Sequence, residues 1–423
     1  MLQLKEYKKE IVGDIFELGR GRVISQEEIN SNPGIYPVYS SQSFNNGEMG
    51  KISTYDFEGE YITWTTDGAY AGTVFYRNGK FNCTNVCGTL KAINEHDIST
   101  KYFAYLLSEN TKRYVSYVGN PKLMNGVVHD IPITYIKGKD NQTYIADILS
   151  TCDEVIEKTE ETIEKYKQIK AGMMQDLFTR GLDANGKLRS TYAQTPDLYK
   201  YSKELDRHIP KEWNIKTFNE LIQDNIIDSI QDGNHGEKHP KTSDFVATGV
   251  PFIMANNITK DGHVDLKNCN FITYEQYKSL RIGFATENDV LLTHKGTVGL
   301  TAIVPSGVKD IMLTPQVTYY RIKDFSKLDN RYLYTYFQSP MFQNILQGLS
   351  EQSTRAYIGI TKQAELNCVY MDITEQKNIG KVVAKINDKL KYEQDVLSKY
   401  KQIKQGLMKR LLTPPADAEI VEE

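Results

Sequence analysis

The hexapeptide Lys-Tyr-Lys-Gln-Ile-Lys occupies residues 165–170 and recurs unchanged at residues 399–404. At the same offset the two copies share further residues: Gly172 and Gly406, Met174 and Met408, Leu177 and Leu411, Thr179 and Thr413, and upstream Gln142 and Gln376, Ile145 and Ile379. Six consecutive identities with flanking matches in one register indicate an internal duplication. The sequence therefore predicts two units of similar size.

Each copy of the repeat lies in a stretch whose apolar residues recur at alternating steps of three and four. In the first copy they are Ile145, Leu149, Cys152, Ile156, Thr159, Ile163, Tyr166, Met173 and Leu177, and in the second Ile379, Val383, Ile386, Leu390, Leu397, Tyr400, Leu407 and Leu411. This heptad pattern predicts two long helices, at 141–182 and 373–413, that pair antiparallel as a coiled coil. The alternative is that each helix packs only on its own domain. Pro414 and Pro415 are expected to end the second helix, and residues 414–423 are expected to form a flexible acidic tail.

Ahead of each helix lies a unit in which short strand-like runs alternate with Gly, Asn and Asp turns. The two units span 1–140 and 210–372, and a polar linker, expected to contain a turn at Asn185-Gly186, spans 183–209. The expected strands are 34–40, 60–65, 73–77 and 88–93 in the first unit and 249–255, 289–293, 300–305 and 316–323 in the second. Helices are expected at 101–117 and 330–348. The predicted fold class is thus α/β (α+β), with two globular heads joined by two long helices in a pseudo-two-fold repeat.

Composition narrows the class of protein. The 423 residues are 40% hydrophobic and 25% charged, which is ordinary for a globular chain. No apolar run approaches the ~20 residues of a membrane helix, and five scattered cysteines fit reduced thiols, so a cytoplasmic protein without a membrane segment is expected. The net charge of -3 is unusual for a DNA-binding chain. Any basic surface must therefore be local or supplied by a partner.

A search for catalytic motifs finds none that fits. Phosphate-binding glycine loops and the motifs of a DNA amino-methyltransferase are absent from the sequence. His235 and His239 are four residues apart, but Gly236 and Pro240 argue against the helix that zinc-binding pairs use. Cys83 and Cys87 form a single CxxxC, for which buried thiols are expected. The carboxylates Asp56, Glu58 and Glu60 are expected to be surface acids of a strand, and a nuclease site is the less favoured alternative.

The loops, in contrast, are rich in hydrogen-bond donors. Asn, Gln, Arg and Lys make two-point contacts to adenine or guanine in the major groove, each contributing about 1–3 kcal/mol of discrimination, and glycines let backbone amides approach phosphates. The residues expected to bind DNA in the first unit are Arg20, Arg22, Ser41, Gln42, Thr66, Tyr70, Lys122 and Asn125. Those expected in the second unit are Asn234, His235, Lys238, Lys241, His294, Lys295, Thr297, Gln352, Ser353, Thr354 and Arg355. Each residue alone fits a solvated loop equally well, and the prediction depends on the repeated pattern.

The order of head, long helix, head and long helix resembles the specificity subunit of Type I restriction-modification enzymes, and the resemblance covers nearly the whole chain. Its most specific parts are residues 165–181 and 399–413, Asp183-Ala-Asn-Gly-Lys-Leu-Arg189, Ile209-Pro-Lys-Glu-Trp213, and residues 293–299 followed by Leu313-Thr-Pro-Gln316. The first head departs from this pattern. It has no Pro-x-x-Trp at its start, and it has Thr-Thr-Asp-Gly where the second head has Thr-His-Lys-Gly.

The resemblance implies a function. Each head would read one half of a split, asymmetric target in double-stranded DNA, and the paired helices would fix the distance between the heads. Two modification subunits would dock on the helices and heads, use S-adenosylmethionine, and methylate adenine N6 after flipping the base out. Restriction subunits would add ATP- and Mg-dependent translocation and cleavage. This chain would itself bind no cofactor or metal and carry no catalytic residue.

Three other interpretations stay open at this point. The chain could be the recognition subunit of another multi-subunit restriction or defence enzyme, or a coiled-coil scaffold with two protein-binding heads. A nuclease is the third. Only the DNA-binding interpretations predict an affinity whose logarithm falls linearly with the logarithm of salt concentration, and only the nuclease predicts metal-dependent cleavage by the isolated chain.

Overall fold

The computed structural model of the chain describes residues 6–42, 44–235, 238–351, 356–416 and 418–422. The chain divides into two compact units, one formed by residues 1–161 with 394–423 and the other by residues 162–393. Each unit contains one α/β head and a part of each of two long helices. The predicted fold class is confirmed.

The first head is built on a six-stranded sheet with the order β2-β7-β5-β6-β3-β4. The strands of this head are β1 (Glu6–Ile11), β2 (Phe16–Arg20), β3 (Pro33–Tyr39), β4 (Glu48–Ile52), β5 (Phe57–Thr65), β6 (Val74–Cys83), β7 (Cys87–Ala92) and β8 (Pro132–Ile136). Strands β1 and β8 lie outside the six-stranded sheet and pair with each other. The helices of the head are α1 (Val12–Ile15), α2 (Gln26–Ser31), α3 (Thr100–Asn110) and α4 (Asn125–His129). Helix α3 packs on β5 and β6. The core between them buries Ile62, Trp64, Tyr102 and Phe103. Burial of a large apolar side chain stabilises the folded state by about 1.5–3 kcal/mol.

The second head follows the long helix α5 (Lys139–Leu177). Its strands are β9 (Tyr199–Ser202), β10 (Arg207–Pro210), β11 (Asn214–Thr217), β12 (Ile227–Asp232), β13 (Val250–Ile253), β14 (Asn270–Ile272), β15 (Phe284–Ala285), β16 (Val290–Lys295), β17 (Thr297–Ile303), β18 (Ile311–Leu313), β19 (Val317–Ile322) and β20 (Asn367–Tyr370). Its helices are α6 (Phe218–Gln223), α7 (Tyr274–Ser279), α8 (Asn330–Phe337), α9 (Pro340–Glu351) and α10 (Ile360–Ala364). The second long helix, α11 (Ile373–Leu412), and strand β21 (Glu419–Glu422) end the described chain.

The two heads share one topology although few of their side chains agree. The strand order β12-β19-β16-β17 in the second head corresponds to the order β2-β7-β5-β6 in the first head. The ten-residue strand β6 corresponds to β17 followed by β18, with residues 304–310 between them. In each head the last part of this strand pairs in parallel with the Tyr- or Phe-containing strand, β3 or β13. The single sheet of the first head is therefore divided into two in the second.

Each head takes one end of both long helices into its core. In the first unit Ile145 and Leu149, near the start of α5, share a buried cluster with Met408 and Leu412, at the end of α11. In the second unit residues 174–178, at the end of α5, share a cluster with Ile379 and Val383, near the start of α11. Within the first unit, Lys401 of α11 pairs with Glu160 of α5 at 2.6 Å, and Lys404 pairs with Asp153. The two helices therefore run antiparallel in each unit, and the alternative of one helix per head is wrong.

The repeated glutamines explain why each helix begins where it does. Gln142 is buried, donates to the carbonyl of Ile136 at 2.9 Å, and accepts from the backbone of Ser99 at 2.8 Å. Gln376 does the same in the second unit, donating to Met371 and accepting from Asp329 at 3.0 Å. Ser99 and Asp329 are the N-caps of α3 and α8. Each glutamine thus fixes the start of a long helix to the helix that covers the adjacent sheet.

Some expected boundaries differ from the structure. The helix expected at 330–348 is two helices, because Pro340 has no N–H to continue α8 and instead begins α9. The helix expected at 101–117 ends at Asn110 and continues only as one 3-10 turn. Within 183–209, the expected turn is present, with Gly186 at φ 75° and a bridge between Leu182 and Leu188. The same segment also begins the β9–β10 hairpin, which composition did not indicate.

The tail after the second helix was expected to be flexible, and this is wrong for residues 419–422. They form β21, which pairs in parallel with β1 from Glu6 to Lys9, while β8 occupies the other side of β1. The β-branched pair Ile420 and Val421 favours an extended backbone, and the free side of β1 provides its hydrogen-bond partners. None of the described helices is long and apolar enough to cross a bilayer.

Candidate nucleic-acid interface

The candidate site of the first head is one end of its sheet, here called the first loop edge. It consists of residues 20–23 after β2, the glycine-rich turn 65–72 after β5, the turn 84–86 between β6 and β7, and residues 116–123. Backbone hydrogen bonds join these segments: Thr66 donates to Val86 at 3.0 Å, Leu123 donates to Thr66 at 2.9 Å, and Gly68 donates to Pro121 at 3.0 Å. Four segments that are distant in sequence thus form one continuous surface.

The second head contains the same arrangement, here called the second loop edge, which consists of residues 232–235, 293–299, 314–316 and 356–358. Its hydrogen bonds repeat those of the first: His294 donates to Gln316 at 2.9 Å, Ile358 donates to His294 at 3.0 Å, and Gly296 donates to Ala356 at 3.0 Å. Thr66 and His294 are therefore equivalent positions, as are Gly68 and Gly296. The match between the Thr-Thr-Asp-Gly and Thr-His-Lys-Gly turns, inferred from order alone, corresponds to a match in three dimensions.

A glycine packs against the backbone at the same point of each loop edge. A Cβ atom on Gly21 would lie 2.2 Å from the carbonyl oxygen of Cys83, and one on Gly233 would lie 2.0 Å from that of Leu313. Neither contact is possible for a larger residue without moving the backbone. Because Gly21 and Gly233 are equivalent, Arg20 before the first corresponds to Asp232 before the second.

The first loop edge carries one acidic side chain between two basic side chains. Asp67 lies 4.0 Å from Arg20 and 3.8 Å from Lys122, and the side chains of these two bases are 39% and 53% exposed. Arg20 also donates to the carbonyl of Asn85 at 2.5 Å, which fixes its direction. Exposed ion pairs of this kind contribute little to stability. The two cations can therefore exchange Asp67 for an anionic ligand at small cost.

The second loop edge has the opposite charges at the equivalent positions. Asp232 replaces Arg20, and Lys295 replaces Asp67. Lys295 is exposed at the end of β16 and bridges to Tyr357, with its ammonium 5.9 Å from the centre of that ring. Asp232 is buried and accepts from Nε2 of His235 at 2.7 Å. The two heads thus carry different charged side chains on the same framework.

His294 supports the second loop edge from inside. It is 1% exposed, and its Nδ1 lies 2.9 Å from the carbonyl of Ile358, where it must donate. Its Nε2 has no hydrogen-bond partner among the described residues and lies 4.0 Å from Asp232. Burial lowers the pKa of His294, and the nearby carboxylate of Asp232 opposes that shift only in part. The imidazole is therefore held neutral, with its hydrogen bond aligning residues 356–358.

The predicted site residues fall into three groups. Those with exposed side chains at or near the loop edges are Arg20, Tyr70, Lys122, His235, Lys238, Lys241, Lys295 and Thr297, and Ser41 is partly exposed. Gln352, Ser353, Thr354 and Arg355 lie outside the described residues. The remaining six are Arg22, Gln42, Thr66, Asn125, Asn234 and His294, whose side chains are buried or hydrogen-bonded to the protein itself.

Burial corrects the prediction for three residues of this last group, and the other three bond within the head, although the side chain of Arg22 is still 42% exposed. Thr66, Asn234 and His294 are at most 5% exposed, so they position the loops and do not reach a ligand. Arg22 is held by Asp56 at 2.9 Å and by Glu28 at 2.7 Å, and the bond to Glu28 is the main cause of its raised pKa. The amides of Gln42 and Asn125 donate to the carbonyls of Glu48 and Gly19. A sequence pattern identifies donors but does not show which of them the fold has already satisfied.

Residues that the prediction missed include Asp67, Asp232 and Tyr357. Acids were not expected at a DNA interface, although a carboxylate can accept a hydrogen bond from cytosine N4. The sequence signal that points to Asp67 is its position in the glycine-rich turn, between Thr66 and Tyr70. Asp232 and Tyr357 flank selected residues in the same way.

The carboxylates considered for a nuclease each have another partner. Asp56 pairs with Arg22, Glu58 lies 3.7 Å from Lys80, and Glu60 accepts from the hydroxyl of Tyr76. Within the described parts of the chain, no group of three or more His, Cys, Asp or Glu residues is arranged to hold a metal ion. His239 donates from Nδ1 to the backbone carbonyl of Asn234 at 3.0 Å.

Two heads with one topology, each carrying a loop edge at the same end of its sheet, define a two-headed target-recognition protein. Comparison with known proteins agrees. The model of the Type I restriction modification DNA specificity domain matches residues 5–168. A putative type I specificity subunit N-terminus of Mycoplasma pneumoniae is 50% identical over 151 residues, which are 36% of this chain and 78% of that relative. The chain belongs to the family of Type I restriction-modification specificity subunits.

Other relatives match over a smaller share of their length. The Type I restriction enzyme MpnII specificity subunit of Mycoplasma pneumoniae is 44% identical over 162 residues, which are 37% of this chain and 48% of that protein. The fold is shared over almost the entire chain with the S subunit of a Type I restriction-modification system from M. genitalium, at TM-score 0.64, 16% identity and 98% coverage of both chains. A chain from a type I R-M system studied for complex assembly and conformational transition gives TM-score 0.51, 12% identity and coverage of 96% and 97%.

Proposed function

We propose that this chain reads a split, asymmetric target in double-stranded DNA, with one loop edge contacting each half-site, and carries no catalytic residue of its own. The observation that carries the proposal is the repetition of one loop framework with opposite charges at its equivalent positions. A shared framework fits the repeated backbone geometry of a duplex. Different side chains on that framework fit two different base sequences.

The exposed groups suit the two tasks of such a reader. Lysines and arginines at the rims, such as Lys122, Lys238 and Lys241, are placed to pair with phosphates, which position a protein without reading sequence. Arg20 lies at the end of β2, which pairs with β7 at the edge of its sheet, and Lys295 lies at the end of β16, between β19 and β17. They are the candidates for contacts to guanine, and Asp67 is the candidate for a contact to cytosine or adenine amino groups.

The long helices would fix the spacing between the half-sites. Helix α5 has 39 residues, and at ~1.5 Å per residue it extends about 58 Å. Within each unit α5 shares a buried cluster with α11, which stiffens it, since a paired helix bends less freely than a single one. Deleting one heptad from both helices is therefore expected to change the number of base pairs between the half-sites.

A repeated surface on these helices favours one kind of partner, bound twice. Lys165, Gln168, Ile169 and Gly172 occur at steps that place them on one face of α5, and all four are exposed, as are their repeats in α11. Ile169 is 46% exposed and its repeat Ile403 is 53% exposed. Residues kept identical in both copies while facing solvent have no task in the core. The partners that fit these two repeated surfaces are two copies of the same protein.

We propose that these copies are two modification subunits, which bring S-adenosylmethionine and methylate adenine N6, and that restriction subunits add ATP- and Mg-dependent cleavage. Such a complex acts on cellular DNA, so the chain would function in the cytoplasm. Positive surface on the partners would also compensate for the net charge of -3, because DNA affinity comes mostly from neutralised phosphates.

The test is to express the chain with the modification subunit encoded beside it and to map N6-methyladenine in the host DNA by single-molecule sequencing. The expected result is one split motif with a fixed spacer, methylated once on each strand. Expression of the modification subunit alone is the control and should give no such motif. A stable complex that methylates no specific motif would contradict the proposal.

A further inference from the structure

The first loop edge carries an exposed apolar tip that neither the core nor the long helices use. Tyr117 is 72% exposed and Val118 is 92% exposed, the highest value among the large hydrophobic residues described. They stand at the end of a narrow hairpin formed by residues 116–122. Tyr70, 53% exposed, lies in the neighbouring glycine-rich turn.

The hairpin is firmly attached at its base. Ser116 and Lys122 exchange two backbone hydrogen bonds, of 2.9 and 3.0 Å. The next residue, Leu123, is buried and accepts from the indole N–H of Trp64 at 3.0 Å. Gly119, at φ 77°, allows the chain to reverse at the tip. The base is therefore part of the core while the tip extends into solvent, so Tyr117 and Val118 are presented in a defined direction.

The charges around the hairpin indicate what covers its tip. Lys122 is at the base and Arg20 is beside it, both more than one-third exposed and both within 4.0 Å of the shared carboxylate of Asp67. Such a surface fits a ligand that is anionic outside and has an apolar group recessed within. Duplex DNA has this form: phosphates line a major groove that admits a two-stranded β-ribbon, and within it the thymine 5-methyl group is the apolar feature that distinguishes bases.

We propose that Val118 contacts the 5-methyl group of a thymine in the first half-site, while Lys122 pairs with a phosphate at the edge of the same groove. The proposal rests on the proposed function and adds to it one specificity-determining residue and the base feature that it reads. The contact would bury about one methyl group on each side, and about 0.8 kcal/mol per buried carbon corresponds to a roughly fourfold change in affinity.

The experiment uses the complex of the full chain with its modification subunit and duplexes containing the mapped motif. Each thymine of the first half-site is replaced in turn by deoxyuridine, which removes only the 5-methyl group. The half-site whose recognition Lys295→Ala leaves unchanged is the one assigned to the first head. Affinity should fall about fourfold at one position for the natural chain, and the Val118→Ser complex should bind both duplexes equally at that position.

Ile93→Ser is the matched control, because Ile93 is also aliphatic and exposed but follows the far end of β7. It should keep the full deoxyuridine effect. If deoxyuridine has no effect on the natural chain, if the effect survives in Val118→Ser, or if the half-site contains no thymine on either strand, the inference is wrong while the proposed function stands. Failure of the natural complex to prefer the motif over an unrelated duplex would instead overturn the proposed function, and the inference with it.

Discussion

The guanidinium of Arg189 makes a two-point ion pair with the carboxylate of Glu375, at 2.5 and 3.0 Å, with both side chains at most 12% exposed. Glu375, in the first turn of α11, also accepts from the backbone of Leu182 at 2.8 Å and from the indole of Trp213 at 3.2 Å. A single carboxylate therefore joins the segment after α5, the linker, and the start of the second head. Gly181 lies against it, at φ 62°, where any Cβ would collide with Glu375.

Arg189→Leu is expected to destabilise the second unit by about 3 kcal/mol, because removing one partner of a buried ion pair leaves the other charge buried. Urea unfolding followed by the fluorescence of Trp213 measures the change. The chain has two tryptophans, and a Trp64→Phe background assigns the signal to the second unit. Lys362→Ala is the control, since Lys362 and Glu365 form an exposed pair, at 3.0 Å, that should contribute less than about 1 kcal/mol. Equal effects of the two changes would show that the Arg189 pair is not structurally important.

This carboxylate explains which parts of the fold the sequence could predict. The segments ending in Gly181, Arg189 and Trp213 were recognised as typical of the family, but their common partner, Glu375, lies about 160 residues or more away and had no local signal. Helices and strands follow from periodicity within a few turns. Pairings between strands that are distant in sequence, such as β1 with β8 and β21, cannot be predicted from local sequence patterns.

Lys295→Ala should weaken recognition of one half-site by about 1–3 kcal/mol and relax the base preference there, because the lysine lies at the strand end of the second loop edge. Lys122→Ala should weaken binding to the other half-site. Mapping methylated motifs for each variant complex measures both effects. A variant that alters both half-sites equally would contradict the assignment of one head to each.

Salt dependence separates the two roles proposed for the lysines. Binding of the complex to its duplex should weaken linearly in log–log form as salt rises. A variant that loses a phosphate contact, expected for Lys122→Ala, should lower the steepness of that line by about one. Binding titrations between about 50 and 200 mM salt, a range over which phosphate contacts change DNA affinity strongly, measure the slopes. Lys362→Ala, on another surface, is the control. An unchanged slope for Lys122→Ala would mean that Lys122 does not meet a phosphate.

The buried imidazole of His294 predicts a pH dependence of stability. Its pKa in the folded chain is lowered by burial from its ordinary value of 6.5. The unfolded chain therefore binds the proton first, so the contribution of His294 is complete above pH 6.5 and is lost as the pH falls below it toward the folded pKa. The loss amounts to at most about 1.4 kcal/mol per pH unit. His294→Asn can keep a donor toward Ile358 and should flatten the dependence.

Urea midpoints at several pH values between about 5 and 8, measured through Trp213, test this expectation. Asp232, His235 and Lys295 face the same region in both proteins, so the difference between natural and variant chains isolates His294. Parallel curves for the two chains would show that His294 does not cause the pH dependence of stability.

The candidate site was predictable in outline and not in detail. The glycine-rich turns, the donor-rich loops and their repetition were visible as patterns, because turn chemistry is local. Which donors remain free was not visible. Arg22 and Lys122 are both basic loop residues, yet Arg22 is held by Asp56 and Glu28 through contacts that form only when the sheet closes. Burial of Thr66 and His294 at the same structural position likewise follows from tertiary packing.

Gly172 and Gly406 test the proposed partner surface. Both lie inside long helices, where glycine costs about 1 kcal/mol relative to alanine, and a Cβ on either would meet no atom within 4 Å. Nothing in the described part of the chain requires these glycines, so close approach of another protein is the reason that we propose for them. Replacing both by alanine should raise the free energy of unfolding by about 1 kcal/mol per site and yet weaken binding of the modification subunit.

Gly348→Ala is the matched control, because Gly348 is exposed within α9, also has open space around it, and lies outside the repeat. It should stabilise the chain by a similar amount without changing partner affinity. Calorimetric titration of the modification subunit gives affinity and stoichiometry, and the natural chain should bind two copies. If the double alanine variant binds two copies as tightly as the natural chain does, the repeated face of the helices is not the docking surface, and the partner must be held by the heads alone.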